Sequence, residues 1–421
     1  MASSTVTVHR LLPESDEKAK SQVNVTPAQL TIGVVAPLTG RLAPLGKPLT
    51  YVLKALAPQL EHIRNGSRRY DVSVALRDSC SDPAAARQAV HDLVTTEQAH
   101  IVLTMAGTQV LPAVADACEE LRVPCLSTTF PWQAYVHSRG VGLRHCFRWT
   151  YHFAWGLDDI ATVFARMWEQ IDGPHAVGCL WNDDLQGSLL RHEEYGFAPV
   201  TSARGHNLVD LGPYREPATD FQTQIGLMRE HGAGIVTSAA TAADLALFHH
   251  QARQAGLRPR LITCSRWLTY PHTHTTTVPG IHAELADARV ATLVYWSPSH
   301  PYRSSLDGTT CADLAHAYQR DTGESWLQPL GLAHALVETA HHTLSTADDP
   351  TDRAAIAQAL AGTALPTIAG TLDWKRGPTP NIALLRLAGG QWHPGPKGPS
   401  LAIVTNADAP DISVTGELKP T

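Results

Sequence analysis

No stretch of this 421-residue chain approaches the roughly 18 consecutive apolar residues of a membrane span, and no run of lysine and arginine marks a nucleic-acid surface. With a formal net charge of -6 and a charged fraction of 17%, the chain has neither the composition of a polyanion binder nor that of a disordered protein. G-x-x-x-x-G-K-[ST], G-x-G-x-x-G after a strand and G-x-S-x-G are all missing, so phosphate cradles and the hydrolase elbow lose their usual sequence support. The 22 histidines come without C-x-x-C or H-E-x-x-H. His272 and His274 form an isolated H-x-H in a threonine-rich loop that reads as solvated, and no metal or cofactor is expected. The seven cysteines are irregularly spaced and cannot all pair within the chain; several sit in apolar strands, which suggests a reduced, mostly unpaired set. The first 28 residues carry Glu14, Asp16, Glu17 and Lys18 where an export signal needs an apolar core, so the sequence as written reads as cytoplasmic; an export signal lost from it would make the protein extracytoplasmic.

What is present is a strict alternation of strand and helix, plainest from Ile101 to Trp132. Ile101, Val102 and Leu103 run apolar without alternation, as a strand covered on both faces does. Leu111, Val114, Cys118 and Leu121 then fall on one helical face, and Val123 to Leu126 return as the next strand. The loops AGTQ and STTFPW therefore leave neighbouring strands at the same edge, where open α/β sheets bind small molecules. Both are rich in hydroxyls and backbone N–H groups. Neither places a nucleophile beside an obvious base, so holding a ligand is the first function they suggest.

The rest of the chain repeats the pattern. Leu30 to Ala36 predicts a buried strand, followed by the turn-rich PLTGRLAPLGKP and a helix from Leu49 to about Ile63. Asp82 and Pro83 read as N-cap and first residue of a helix striped by Ala86, Ala89, Val90, Leu93 and Val94. An aromatic cluster, CFRWTYHFAW, precedes a second alternating series whose loops are WNDDLQG, TSAAT and SRWLTYP. The expected architecture is α/β, with two doubly wound parallel-sheet lobes, three crossing segments and a ligand cleft between the lobes. Residues 1–29 read as a disordered extension, 30–147 with 298–368 as the N-terminal lobe, and 148–297 with 369–421 as the C-terminal lobe.

Taken together, LTIGVVAPLTG, RDSCSDPAAARQAVHDLV, AGTQ, VPCLSTTFP and WNDDLQG resemble the class I solute-binding proteins of ABC transporters, the group of the leucine/isoleucine/valine- and amide-binding proteins. The late segments TGESWLQPLGLAHALVE and GGQW fit a subgroup of that family. The resemblance implies closure of two lobes over a small molecule and delivery to a permease. It would set the acidic end of the ligand against Gly107, Thr108, Ser127, Thr128 and Thr129, whose hydroxyls and N–H groups suit a carboxylate. Where amino-acid binders carry an acid for the ligand ammonium, this chain has Arg266 and Trp267, and the arginine would repel an ammonium and attract an anion. The plainer alternative for Arg266 is a surface ion pair. Ser238 in TSAAT and Asp183 in WNDD complete the second-lobe candidates, Asp183 or Asp184 being the partner for an amine.

Ten tryptophans are many for this length, and Trp132, Trp155, Trp181, Trp267 and Trp296 fall in or beside the expected cleft loops and crossings. Indole faces suit a flat or apolar ligand, although core packing explains any one of them alone. Two alternatives keep the same fold: a ligand sensor, and a biosynthetic enzyme, for example an amine and carbonyl condensation of Pictet-Spengler type. In the enzyme, Asp183, Asp184, His334 and Glu338 would move protons, the last two sharing one helical face.

Overall fold

The computed structural model describes residues 28–172, 176–266, 281–395 and 399–420. The first 27 residues of the expected extension, and Trp267, His272 and His274, lie outside the described residues. β1 (Ala28–Ala36), β2 (His62–Asn65), β3 (Arg68–Asp78), β4 (Ile101–Met105), β5 (Cys125–Thr128) and β6 (Thr150–Ala154) lie in one sheet. A second sheet takes β7 (Ala176–Leu180), β8 (Asn207–Asp210), β9 (Ile235–Ser238), β10 (Leu261–Cys264) and β11 (Ala291–Val294). β12 (Ala364–Thr367) and β13 (Gly370–Asp373) pair as a hairpin, β14 (Ile382–Leu384) returns to the first sheet, and β15 (Ala388–His393) and β16 (Ser400–Thr405) finish the second. The strand orders are β14-β6-β5-β4-β1-β3-β2 and β16-β15-β11-β10-β9-β7-β8. Pairing is parallel except at one edge of each sheet: β2 in the first, β15 and β16 in the second.

Local sequence accounts for these elements. All five residues of β4 are buried, and its apolar run lies between β1 and β5 with Leu103 opposite Val34 and Leu126. The helix Pro83–Thr95 begins where Asp82 accepts a 2.8 Å hydrogen bond from the Ala85 N–H, and it buries the five residues of its apolar stripe. The helix Val110–Leu121 buries Leu111, Val114 and Cys118 and stops at Arg122, whose φ of 53° is left-handed. All seven cysteines are unbonded.

Three expectations change. The turn-rich segment before residue 49 is helical from Ala43 to Ala55, and a short helix, Ala57–Leu60, and the edge strand β2 replace the end of the expected helix. Pro44 stands in the first turn, where its missing N–H costs nothing, and Gly46 packs so closely on Pro37 that an added Cβ would lie 2.2 Å from its carbonyl oxygen. The sheets also exchange later than residue 147: β6 still pairs with β5, and the helix Leu157–Trp168 packs on the second sheet. The chain likewise stays with the first sheet beyond residue 368, because β14 pairs with β6.

The chain thus passes between the sheets three times: after β6, after β11 and after β14. Two buried glutamines of the first lobe grip the first two passages. Gln133 accepts from the Leu157 N–H (2.9 Å) and donates to Asp158 (2.7 Å), while Gln328 accepts from the Tyr295 N–H and donates to the Leu293 carbonyl (both 3.1 Å). Trp155 and Tyr295, one from each passage, stack with ring centroids 4.4 Å apart.

Candidate functional site

A cavity of about 110 Å³ lies where the loops after β1, β4 and β5 face the loop after β10 and the helix Leu185–Leu190. The first lobe supplies Arg41 and Leu42, then Gly107 and Thr108, then Thr129 and Phe130. Trp155, Leu157 and Ile160 come from the first passage and the helix it opens. Gln186, Leu189, Leu190, Ser265 and Arg266 come from the second lobe. The surface is largely apolar, and the described residues lining it include two arginines and no aspartate or glutamate.

Two features shape the first-lobe side. Thr129 holds a φ of 124°, a strained value for a β-branched residue, and donates from Oγ1 to the Ala106 carbonyl at 2.7 Å, tying the loop after β5 to the loop after β4. Among the described residues, the backbone N–H groups of Gly107, Thr108, Thr129 and Phe130 make no hydrogen bond. Such groups suit an anionic oxygen.

On the second-lobe side Arg266 is ion-paired to Glu216. Burial alone would lower the guanidinium's pKa, but the adjacent carboxylate outweighs burial and holds it above its ordinary value. Burial also raises Glu216 against the pull of Arg266. Arg266 therefore combines both sequence readings: it is paired and it faces the cavity. Arg41 is exposed and has no ion-pair partner among the described residues.

Gly107, Thr108, Thr129, Trp155 and Arg266 are thus brought together, and other expected ligand residues are spent elsewhere. Ser127 is fully buried against His152 Nδ1 (2.9 Å), and since His152 Nε2 donates to the Phe130 carbonyl, Nδ1 accepts the serine proton. Thr128 donates to the Phe153 carbonyl at 2.7 Å. Ser238 accepts from the Ala240 N–H, and Trp132, whose backbone N–H donates to the Trp155 carbonyl, is outside the cavity lining. Trp181 packs edge-on to Phe197 outside the cavity lining.

None of the four proton-transfer candidates lines the cavity either. Asp184 caps the helix Leu185–Leu190 through the Gly187 N–H, and Asp183 is exposed outside the cavity lining. Glu338 is buried in the first lobe, where it accepts from Ser305 N–H (2.6 Å), Ser305 Oγ (2.7 Å) and Ile368 N–H (3.0 Å) and lies 2.9 Å from His334. That pair pins two loops to the helix Pro329–Thr346. Sequence reading missed Arg41, Phe130 and Glu216. The first stood in a segment read only as turn, and nothing local ties Glu216 to Arg266.

A larger hollow of about 660 Å³ flanks the third passage. Each of its four carboxylates has a partner: Asp159 the Gly156 N–H, Asp373 the Lys375 N–H, Asp408 Arg166 and Asp411 Tyr302.

Two wound lobes joined by three passages, with a cavity at the carboxyl ends of the strands, form the two-lobed architecture of the periplasmic binding proteins. The chain belongs to the periplasmic binding protein family, whose profile matches residues 29–389. Solved structures with the same fold include the leucine-binding protein LivK of Thermotoga maritima, 15% identical, TM-score 0.69, over 90% of this chain and 99% of that one. LivJ of Streptococcus pneumoniae, solved with isoleucine, is 12% identical with a TM-score of 0.66 over 90% and 99%. A Rhodopseudomonas palustris binding protein solved with p-hydroxybenzoic acid is 14% identical with a TM-score of 0.69 over 93% and 97%. No curated protein sequence matches the chain. Among the described residues, no helix is long and apolar enough to cross a membrane.

Proposed function

We propose that the protein captures a small carboxylated solute with an apolar or aromatic body and hands it to an ABC-type permease. The observation that carries this reading is the interlobe cavity, with an apolar floor that includes Phe130 and Trp155 and a guanidinium on each lobe. Free N–H groups on the loops after β4 and β5 support it. Structures of the same fold have been solved with isoleucine and with p-hydroxybenzoic acid, so both aliphatic amino acids and aromatic acids belong in the test. On this reading the protein works outside the cytoplasmic membrane, which fractionation of native cells tests.

Calorimetric titration with amino acids, aromatic acids and amides, followed by mass spectrometry of each mixture, tests the binding function. Micromolar affinity, about 8 kcal/mol, with the ligand recovered unchanged is the expected result. A product whose formation requires the protein would refute a pure binding role.

A further inference from the structure

Resting on that reading, we infer that the cleft selects a single-ring aromatic acid that carries one carboxylate and no amine, bridged between Arg41 of the first lobe and Arg266 of the second, with Glu216 setting the number of negative charges accepted. Size comes first. A cavity of about 150 Å³ holds benzene, so the volume of about 110 Å³ bounded by the described residues is of the order of a single ring.

Charge comes next. Two guanidinium groups and no carboxylate line the cavity among the described residues. Glu216 neutralises Arg266, and Arg41 has no ion-pair partner among the described residues, so the cleft has a net charge matched by one carboxylate. An ammonium would meet the charge of Arg41 and find only further donors on the paired Arg266. The acids that act on Arg266 are already engaged, Glu216 by Arg266 itself and Asp184 by the Gly187 N–H. Because the arginines belong to opposite lobes, an anion that accepts from both would hold the lobes together, the attraction coming chiefly from Arg41 and the second set of donors from the paired Arg266.

The test is calorimetry and thermal melting with benzoate, benzamide, benzylamine, L-phenylalanine and phthalate. Benzoate should bind at least about tenfold more tightly than benzamide, the loss expected when a charged hydrogen-bonding partner is removed. Benzylamine and L-phenylalanine should bind more weakly still. Arg41→Gln, at an exposed position, should weaken benzoate roughly tenfold without lowering the melting temperature. Glu216→Gln should raise the affinity for phthalate relative to benzoate, because one more positive charge is then free. Benzamide equal to benzoate, L-phenylalanine tighter than benzoate, or an unchanged phthalate-to-benzoate ratio in a folded Glu216→Gln protein would each overturn the inference and leave the solute-binding reading standing. A melting temperature unmoved by this panel and by the wider solute set would overturn both.

Discussion

His152 shows how much of a binding loop is spent on its own support. Burial pushes its pKa down to about 4, so the ring stays neutral between Ser127 and the Phe130 carbonyl, and burial sets His300 at about 4 as well. Both titrate near 6.5 when unfolded. The unfolded chain therefore binds more protons from about pH 6.5 down to 4, and the stability each histidine confers, complete above that window, is lost as pH falls through it. The shift of His152 corresponds to about 3 kcal/mol. Asp159, raised to about 6 by burial, has the opposite sign, since its folded form takes up protons first. Asp159→Asn should therefore lose melting temperature more steeply than the parent between pH 7 and 4.5; parallel melting curves would contradict the assignment. Glu338→Ala should cost about 3–5 kcal/mol, the range for breaking a buried charged network, while the folded fraction keeps its ligand affinity. Titration alongside denaturant unfolding separates the two effects. At this scale the sequence was only partly legible. Thr129 and Ser127 look alike in a hydroxyl-rich loop, and only the burial of His152 beside Ser127 removes one of them from the cleft.

The elements were easier to read where a single local rule acts. Asp82 with Pro83, and the stripes of the helices Pro83–Thr95 and Val110–Leu121, need nothing beyond capping and 3.6-residue periodicity. The helix Ala43–Ala55 was obscured because its two prolines and Gly46 read as turn residues, whereas Gly46 is there to let the helix close on Pro37. Gly46→Ala should therefore destabilise by roughly 1–3 kcal/mol, an overpacking cost against backbone. It should also weaken ligand binding, because Arg41 and Leu42 lead directly into that helix; a thermal melt and a benzoate titration of the same sample check both. The membership of β6 and β14 was illegible for a different reason. Apolar content marks a strand as buried without naming the sheet that receives it.

For the whole molecule, lobe closure depends on the passages and their glutamine grips. Gln133→Ala frees the Leu157 N–H and Asp158 together, and each lost hydrogen bond is worth about 1–3 kcal/mol. The expected outcome is a larger radius of gyration by solution scattering without ligand, restored when benzoate is added. Scattering identical to the parent at reduced stability would make Gln133 a packing residue alone. The interleaving of the two sheets also governs how the chain can be made. A ribosome completes every strand of the second sheet's parallel set before it releases β14, which the first sheet still needs at its edge. The first sheet receives its last strand only just ahead of β15 and β16 of the second, no contiguous fragment contains one whole lobe without part of the other, and the two should melt in one calorimetric transition.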